Sequence, residues 1–209
     1  MDITTRQDLD KIMEIYEENH PQGTHHVVGD AVWVPTPTDI LIQELAAFDA
    51  LIAKERKRHE GNVLIAGAGD GRRGAPLSRL GYNVVAVELI PEYAHRGISI
   101  RDKLVEQRLV DPSKFKMAKG NFLSDGTYDT EGLSFTDFGK IFAYLKSEHI
   151  NGLGDKIKKQ SPVGTELFLL LFMQDVQPQI GLDYVGEFKV RNKNSLQGYY
   201  NVHRYRKNI

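Results

Sequence analysis

Cysteine is absent from the 209 residues, which excludes disulfides, thiolate metal ligands and thiol nucleophiles and fits a reducing cytoplasm. Long apolar runs are missing as well. The longest, Leu167 to Met173, falls far short of the roughly 20 residues that span a bilayer. The opening Met1-Asp2-Ile3-Thr4 lacks the basic-then-apolar character of a secretory signal. A soluble, cytoplasmic protein without membrane association is expected. Charge of one sign is also lacking: Lys+Arg 27 against Asp+Glu 28 leaves a formal charge of -1. No global basic field draws nucleic acid, so that partner is not expected. No internal repeat or low-complexity tract occurs, and the length suits one sizeable core. Oligomeric state leaves no signature.

What is present alternates between helix and strand. Leu9, Ile12, Met13, Ile15 and Tyr16 recur at helical spacing and predict an amphipathic helix over about residues 5–18. His20 to Thr38 reads as a connector rich in Gly, Pro and His, long enough to suggest a wrapping or lid role. A second helix is predicted from Thr38, an N-cap after two prolines, through Ile40, Leu41, Leu45, Phe48 and Leu51, fraying into Lys54 to Glu60. Asn62 to Ala66 is a continuous apolar run, as in a strand buried on both faces of a parallel sheet. Further strands are predicted at 83–88, 114–119, 138–144 and 165–172. Helices are predicted at Ala75 to Leu80, stopped by Gly81, from Pro91 to about Leu109, and at 148–160 despite Gly152 and Gly154. Leu123 to Asp137 reads as loop, and Tyr184 to Val190 with Tyr199 to Tyr205 as an antiparallel hairpin. The fold class is therefore α/β: a Rossmann-like, open, mostly parallel sheet with helices on both faces and an antiparallel C-terminal hairpin.

The chemistry concentrates in Val63-Leu64-Ile65-Ala66-Gly67-Ala68-Gly69-Asp70-Gly71-Arg72. Open α/β sheets bind ligands beyond the carboxyl ends of their strands, where the topology reverses. Glycines there allow a sharp turn and let backbone N–H groups approach a ligand. Glu88 ends the second strand of this unit, where a carboxylate can accept both ribose hydroxyls of an adenosine. A nicotinamide dinucleotide would need a glycine at position 72 to accommodate its pyrophosphate, and position 72 is Arg. Glycines at 67, 69 and 71 suit an adenosine ligand with an amino-acid tail. A tight strand–helix connection with a solvated Glu88 is the plainer alternative.

From Asn62 to the terminal hairpin the sequence resembles a class I, seven-β-strand, S-adenosylmethionine-dependent methyltransferase. Val34-Pro35-Thr36-Pro37, Gly120-Asn121-Phe122-Leu123, Tyr144-Leu145 and the Lys156 to Thr165 segment, in that order, are similar to the small archaeal-type protein lysine methyltransferases and their mitochondrial relatives. The likeness covers residues 34–209 as the methyltransferase domain; residues 1–33, a helix and connector, have no counterpart. It implies S-adenosyl-L-methionine as cofactor, methyl transfer to an amine, and a protein lysine side chain as acceptor. Gly67, Ala68, Gly69 and Gly71 would line the methionine tail and Glu88 would hold the ribose. Leu89 would pack on the adenine, and Asn121 and Phe122 would flank the adenine and the acceptor's channel. Thr36 would close over the cofactor, and Tyr144, with Asn121, would stand at the methyl-transfer site.

Two departures qualify the likeness. The family's acidic residue at the end of the first strand is replaced by Ile65 and Ala66, and Leu167 to Phe172 is more apolar than the family's segment there. Two other readings therefore stand beside the first: a methyltransferase acting on a small molecule or RNA, and a non-catalytic cofactor-binding module. Methyl transfer is an in-line displacement that chiefly demands positioning. A lysine amine with an ordinary pKa of about 10.4 must also be supplied neutral, which an aromatic channel favours. Tyr144, Phe122 and Trp33 are candidates to line it.

Other groups weigh less. His20, His25 and His26 could ligate a metal, but with only Asp30 nearby a solvated loop is the simpler account, and no metal is expected. Glu148-His149 could form an acid–base pair or simply a helix start with a surface His. Lys54 to Arg58 reads as a basic helix end. Asp125, Asp129, Glu131 and Asp137 form an acidic loop that could attract a basic protein segment or merely be solvated.

Overall fold

The computed structural model describes residues 3–19, 26–28, 31–33, 36, 38–54, 61–129, 131–145, 147–171, 180–191 and 199–208. In chain order the elements are α1 (Ile3–Asn19), β1 (His26–Val28), β2 (Ala31–Trp33), α2 (Thr38–Lys54), β3 (Asn62–Ala66), α3 (Gly74–Arg79), β4 (Val84–Glu88) and α4 (Pro91–Glu106). They continue with β5 (Phe115–Lys119), α5 (Gly126–Asp129), a 3-10 turn (Phe135–Asp137), β6 (Phe138–Ala143), α6 (Ser147–Gln160), β7 (Glu166–Leu171), β8 (Asp183–Arg191) and β9 (Tyr199–Arg206).

Seven strands form one sheet in the order β5-β4-β3-β6-β7-β9-β8. β3, β4, β5, β6 and β7 run parallel, while β9 is antiparallel to both β7 and β8. The chain lays β3, β4 and β5 outward in one direction, then returns to place β6 on the other side of β3. Such a reversal marks the carboxyl end of β3, where ligands of open α/β sheets bind.

Strand alternation divides the interior into two cores, one per face. Val63 and Ile65 of β3 face a core shared with α1, α2, α3 and α4, whereas Leu64 and Ala66 face one shared with α6. In the first, Phe48 of α2 meets Phe142 and Phe168 edge-on at 4.8 and 5.0 Å. Each such buried side chain contributes about 1.5–3 kcal/mol. The apolar stripe of α1, Leu9, Ile12, Met13, Ile15 and Tyr16, belongs to this same core.

Pro91 opens α4, where its missing N–H costs no hydrogen bond, and Gly81 ends the α3 segment at φ +99°. The glycines within α6 have a packing reason. A Cβ on Gly152 would stand 3.1 Å from Leu123, and one on Gly154 2.9 Å from Ile180. Two expectations needed revision. The connector before α2 contains the short antiparallel pair β1–β2, and the segment 123–137 contains α5 and a 3-10 turn capped by Ser134 and Asp137. Among the described residues no helix is long and apolar enough to cross a membrane.

Candidate functional site

The turn after β3 is shaped by its glycines. Gly67, Gly69 and Gly71 adopt φ of +71°, +58° and +80°, left-handed conformations that cost other L-residues roughly 1–2 kcal/mol each. A Cβ on Gly67 would lie 2.6 Å from Leu145 Cδ2, and one on Gly71 3.2 Å from Met117 Sδ. The amides of Gly67 and Ala68 both donate to the carbonyl of Val87 at 3.0 Å, pinning the turn to the end of β4.

Glu88 closes β4 and joins that turn. The Gly69 amide donates to its Oε2 at 2.8 Å and the Ile90 amide to its Oε1 at 2.9 Å. Burial pushes the Glu88 pKa up, against the lowering effect of these backbone donors. The carbonyl of Glu88 accepts from Gly120 at 2.9 Å, which brings the turn after β5 to the same place.

The structure gathers most of the expected residues at this end of the sheet. Leu89, directly after Glu88, leaves 56% of its surface exposed. Asn121 is exposed on the turn after β5, its Oδ1 accepting from the Leu123 amide at 2.9 Å. Phe122 beside it is buried, and its ring meets His149 edge-on at 6.4 Å. Tyr144, half-buried, follows β6 and packs against the core shared by α1 to α4. The Thr36 carbonyl accepts from Arg72 Nη1 at 3.2 Å, which ties the segment before α2 to the glycine turn.

That last bond belongs to a network absent from the sequence reading. The Asp70 carboxylate, fully buried, is gripped by the Arg72 guanidinium, with Nη2 to Oδ2 at 2.9 Å. Arg72 Nη1 stands 3.5 Å from Glu17 Oε1, and Thr38 Oγ1 donates to that same oxygen at 2.5 Å. Arg73 pairs with buried Glu44 of α2 through two hydrogen bonds of 3.1 and 2.8 Å. Two signals were available: adjacent arginines at a helix N-terminus, where cations are disfavoured, and Glu44 on the apolar stripe of α2 between Ile40 and Phe48.

The remaining groups fall elsewhere. The acidic loop is largely engaged internally: Asp125 with Lys156 and Gln160, Glu131 with Lys116, and Asp137 with the Ser134 amide. His149 is exposed near the start of α6. His20, His25 and residues 55–58 lie outside the described residues, as do the side chains of His26, Trp33, Lys54 and Glu148. Among the described residues no group of His, Asp and Glu is arranged to hold a metal ion.

No family model and no curated protein sequence matches the chain. Solved structures do match it. A Pyrococcus horikoshii protein provisionally assigned as an RNA methyltransferase aligns over 100% of both chains at 13% identity and a TM-score of 0.60. The chain has the class I S-adenosylmethionine-dependent methyltransferase fold. An O-methyltransferase from Bacillus cereus, in complex with SAH, aligns over 96% of this chain and 91% of its own at 16% identity and a TM-score of 0.58. An RNA methyltransferase from Salinibacter ruber, in complex with S-adenosyl-L-homocysteine, aligns over 84% of this chain and 94% of its own at 19% identity and a TM-score of 0.56. Identities this low establish the shared fold. None of these neighbours is a lysine methyltransferase by name, so the expected lysine acceptor finds no support among them.

Proposed function

We propose that the protein is a methyltransferase that uses S-adenosyl-L-methionine to methylate a small molecule. The observation that carries this reading is the Glu88 carboxylate hydrogen-bonded to the Gly69 amide at the topological switch of the sheet. It places a diol acceptor beside a glycine-rich turn, as an adenosine with an amino-acid tail requires. The residues fit the cofactor in three respects. Glu88 presents at the strand end a carboxylate oriented by backbone donors, the group that accepts a ribose diol. The three left-handed glycines admit a close approach to backbone. Leu89 offers an exposed apolar face for a base.

Bound there, the cofactor supplies a sulfonium-activated methyl group. The protein's part is orientation: Glu88 fixes the sugar, the 67–71 turn receives the tail, and Asn121 and Phe122 border the base. Thr36, held by Arg72, flanks the tail, and Tyr144 after β6 lines the side from which an acceptor approaches.

The lysine acceptor rests on motif order alone and gives way to the small-molecule reading. The turns at 88–92 and 119–125 carry Glu88 and Glu92 against Lys119, with Asp125 paired to Lys156, which suits a compact acceptor better than a polyanion. The end-to-end match to the Pyrococcus horikoshii protein keeps RNA as the second reading. Methyl-labelled cofactor incubated with cell lysate, then fractionated, tests the order: label is expected in the small-molecule fraction. Label confined to RNA reverses the two readings, and label in protein restores the lysine acceptor. Calorimetric titration with S-adenosylhomocysteine tests the cofactor, with affinity expected in the native protein and lost in Glu88→Ala.

A further inference from the structure

β8 ends the sheet and, among the described residues, pairs with β9 alone. Along an antiparallel strand, residues alternate between bonding one neighbour and turning their N–H and C=O the other way. The outward set on β8 is fixed at Arg191. Its amide donates to Gln43 Oε1 of α2 at 3.2 Å, and its carbonyl accepts from Gln43 Nε2 at 3.1 Å, which closes that position. By alternation, Lys189 and Glu187 turn the next main-chain groups outward. Beyond them a bulge between Tyr184 and Gly186, with Gly186 at φ +139°, breaks the ladder. The open edge is therefore confined to Glu187 and Lys189.

Charges on an edge strand ordinarily keep other strands away, but these two are opposite in sign. Lys189 is exposed, and its ammonium has no carboxylate partner among the described residues. Glu187 accepts from the Tyr184 hydroxyl at 3.3 Å and lies 3.7 Å from His203 Nδ1, with 33% of its side chain exposed. Burial holds the His203 pKa below its ordinary value, so at neutral pH that ring brings no charge to the carboxylate. Both side chains stand on the sheet face away from α2, whereas Val190 and Phe188 join the core that α2 covers.

A second copy fits this edge in one register. A two-fold axis through Glu187 or Lys189 would set identical charges directly opposite, which is destabilising. An axis through Phe188 instead sets Glu187 of each copy opposite Lys189 of the other, with main-chain hydrogen bonds at both positions. On the other face it brings the two Phe188 side chains together. Phe188 also lines an apolar groove of about 360 Å³ with Ala47, Ala50, Leu51 and Val185, alongside that contact.

We propose that β8 is a homodimerisation edge, pairing antiparallel with β8 of a second copy about a two-fold axis through Phe188. The sheet then runs unbroken through both copies. The contact is small, so the dimer is concentration-dependent. Sedimentation velocity over about a hundredfold range of protein concentration should show the mass rising from that of the 23.6 kDa chain towards twice that value. A monomer throughout, whether the edge stays open or takes up an unrelated extended strand, overturns the proposal. Glu187→Lys and Lys189→Glu each set like charges opposite, and each should move dimerisation to about tenfold higher concentration or beyond. A variant that dimerises as the native protein does overturns it. Mixed in equal amounts, the two variants carry complementary edges again, and a heterodimer is expected at the concentrations where the native protein pairs. Amide exchange in the native protein depends on no variant's folding. Exchange at Glu187 and Lys189 should slow about tenfold as the dimer forms, and dimerisation with unchanged exchange at both overturns the proposal.

Discussion

Glu88 is held under opposing demands. Its backbone donors favour the charged form, while burial disfavours it more strongly and raises its pKa above the ordinary 4.5. In the ligand-free protein, the stability linked to this group is therefore fully present below its unfolded pKa and is lost as pH rises through the raised folded value. A bound diol works in the other direction, because two hydroxyls need the ionised carboxylate as acceptor. Affinity for S-adenosylhomocysteine should consequently begin to fall, on lowering the pH from about 8, before an ordinary carboxylate would protonate. Calorimetry across that range checks this, and an affinity that stays flat down to pH 4.5 contradicts it. Gly67 faces a steric demand instead. Gly67→Ala combines a left-handed backbone with a Cβ 2.6 Å from Leu145, and should lower unfolding free energy by about 1–3 kcal/mol in denaturant titration. An unchanged midpoint would mean that the turn can relax.

Between elements, the two consecutive arginines act as fasteners. Arg72 reaches α1 and the segment before α2, and Arg73 reaches α2 itself. Removing one member of the buried Arg73–Glu44 pair leaves an uncompensated charge, so Arg73→Met or Glu44→Leu alone should cost about 3–5 kcal/mol. The double replacement should recover most of that loss, and additive losses in a double-mutant cycle would refute the coupling. The elements themselves were largely legible. β3, β4 and β7 announce themselves as continuous apolar runs, and α1 and α2 by their periodicity. β1 and β2 were not, because three residues each cannot display an alternation. The same contrast holds at the site. Gly67 to Gly71 and Glu88 could be placed together because both sit at strand ends in one βαβ unit. The approach of Glu17 to Arg72 depends on where α1 docks, which no local pattern encodes.

At the scale of the whole molecule, near-neutral charge sets the terms for its partners. With a formal charge of -1 and an isoelectric point near 6.7, the protein should pass through a heparin column at about 0.1 M salt and neutral pH. Retention there would reveal a local basic face and favour the RNA reading. The order of the last three strands bears on synthesis. β9 lies between β7 and β8 and is antiparallel to both, and among the described residues β8 has no other neighbour in the sheet. During synthesis β8 is therefore made before the strand it must join, and the flank of β7 stays unzipped until β9 follows. Until β9 joins them, the flank of β7 and the strand β8 both present unpaired hydrogen-bonding edges, making that interval the one in which a chaperone's grip matters most.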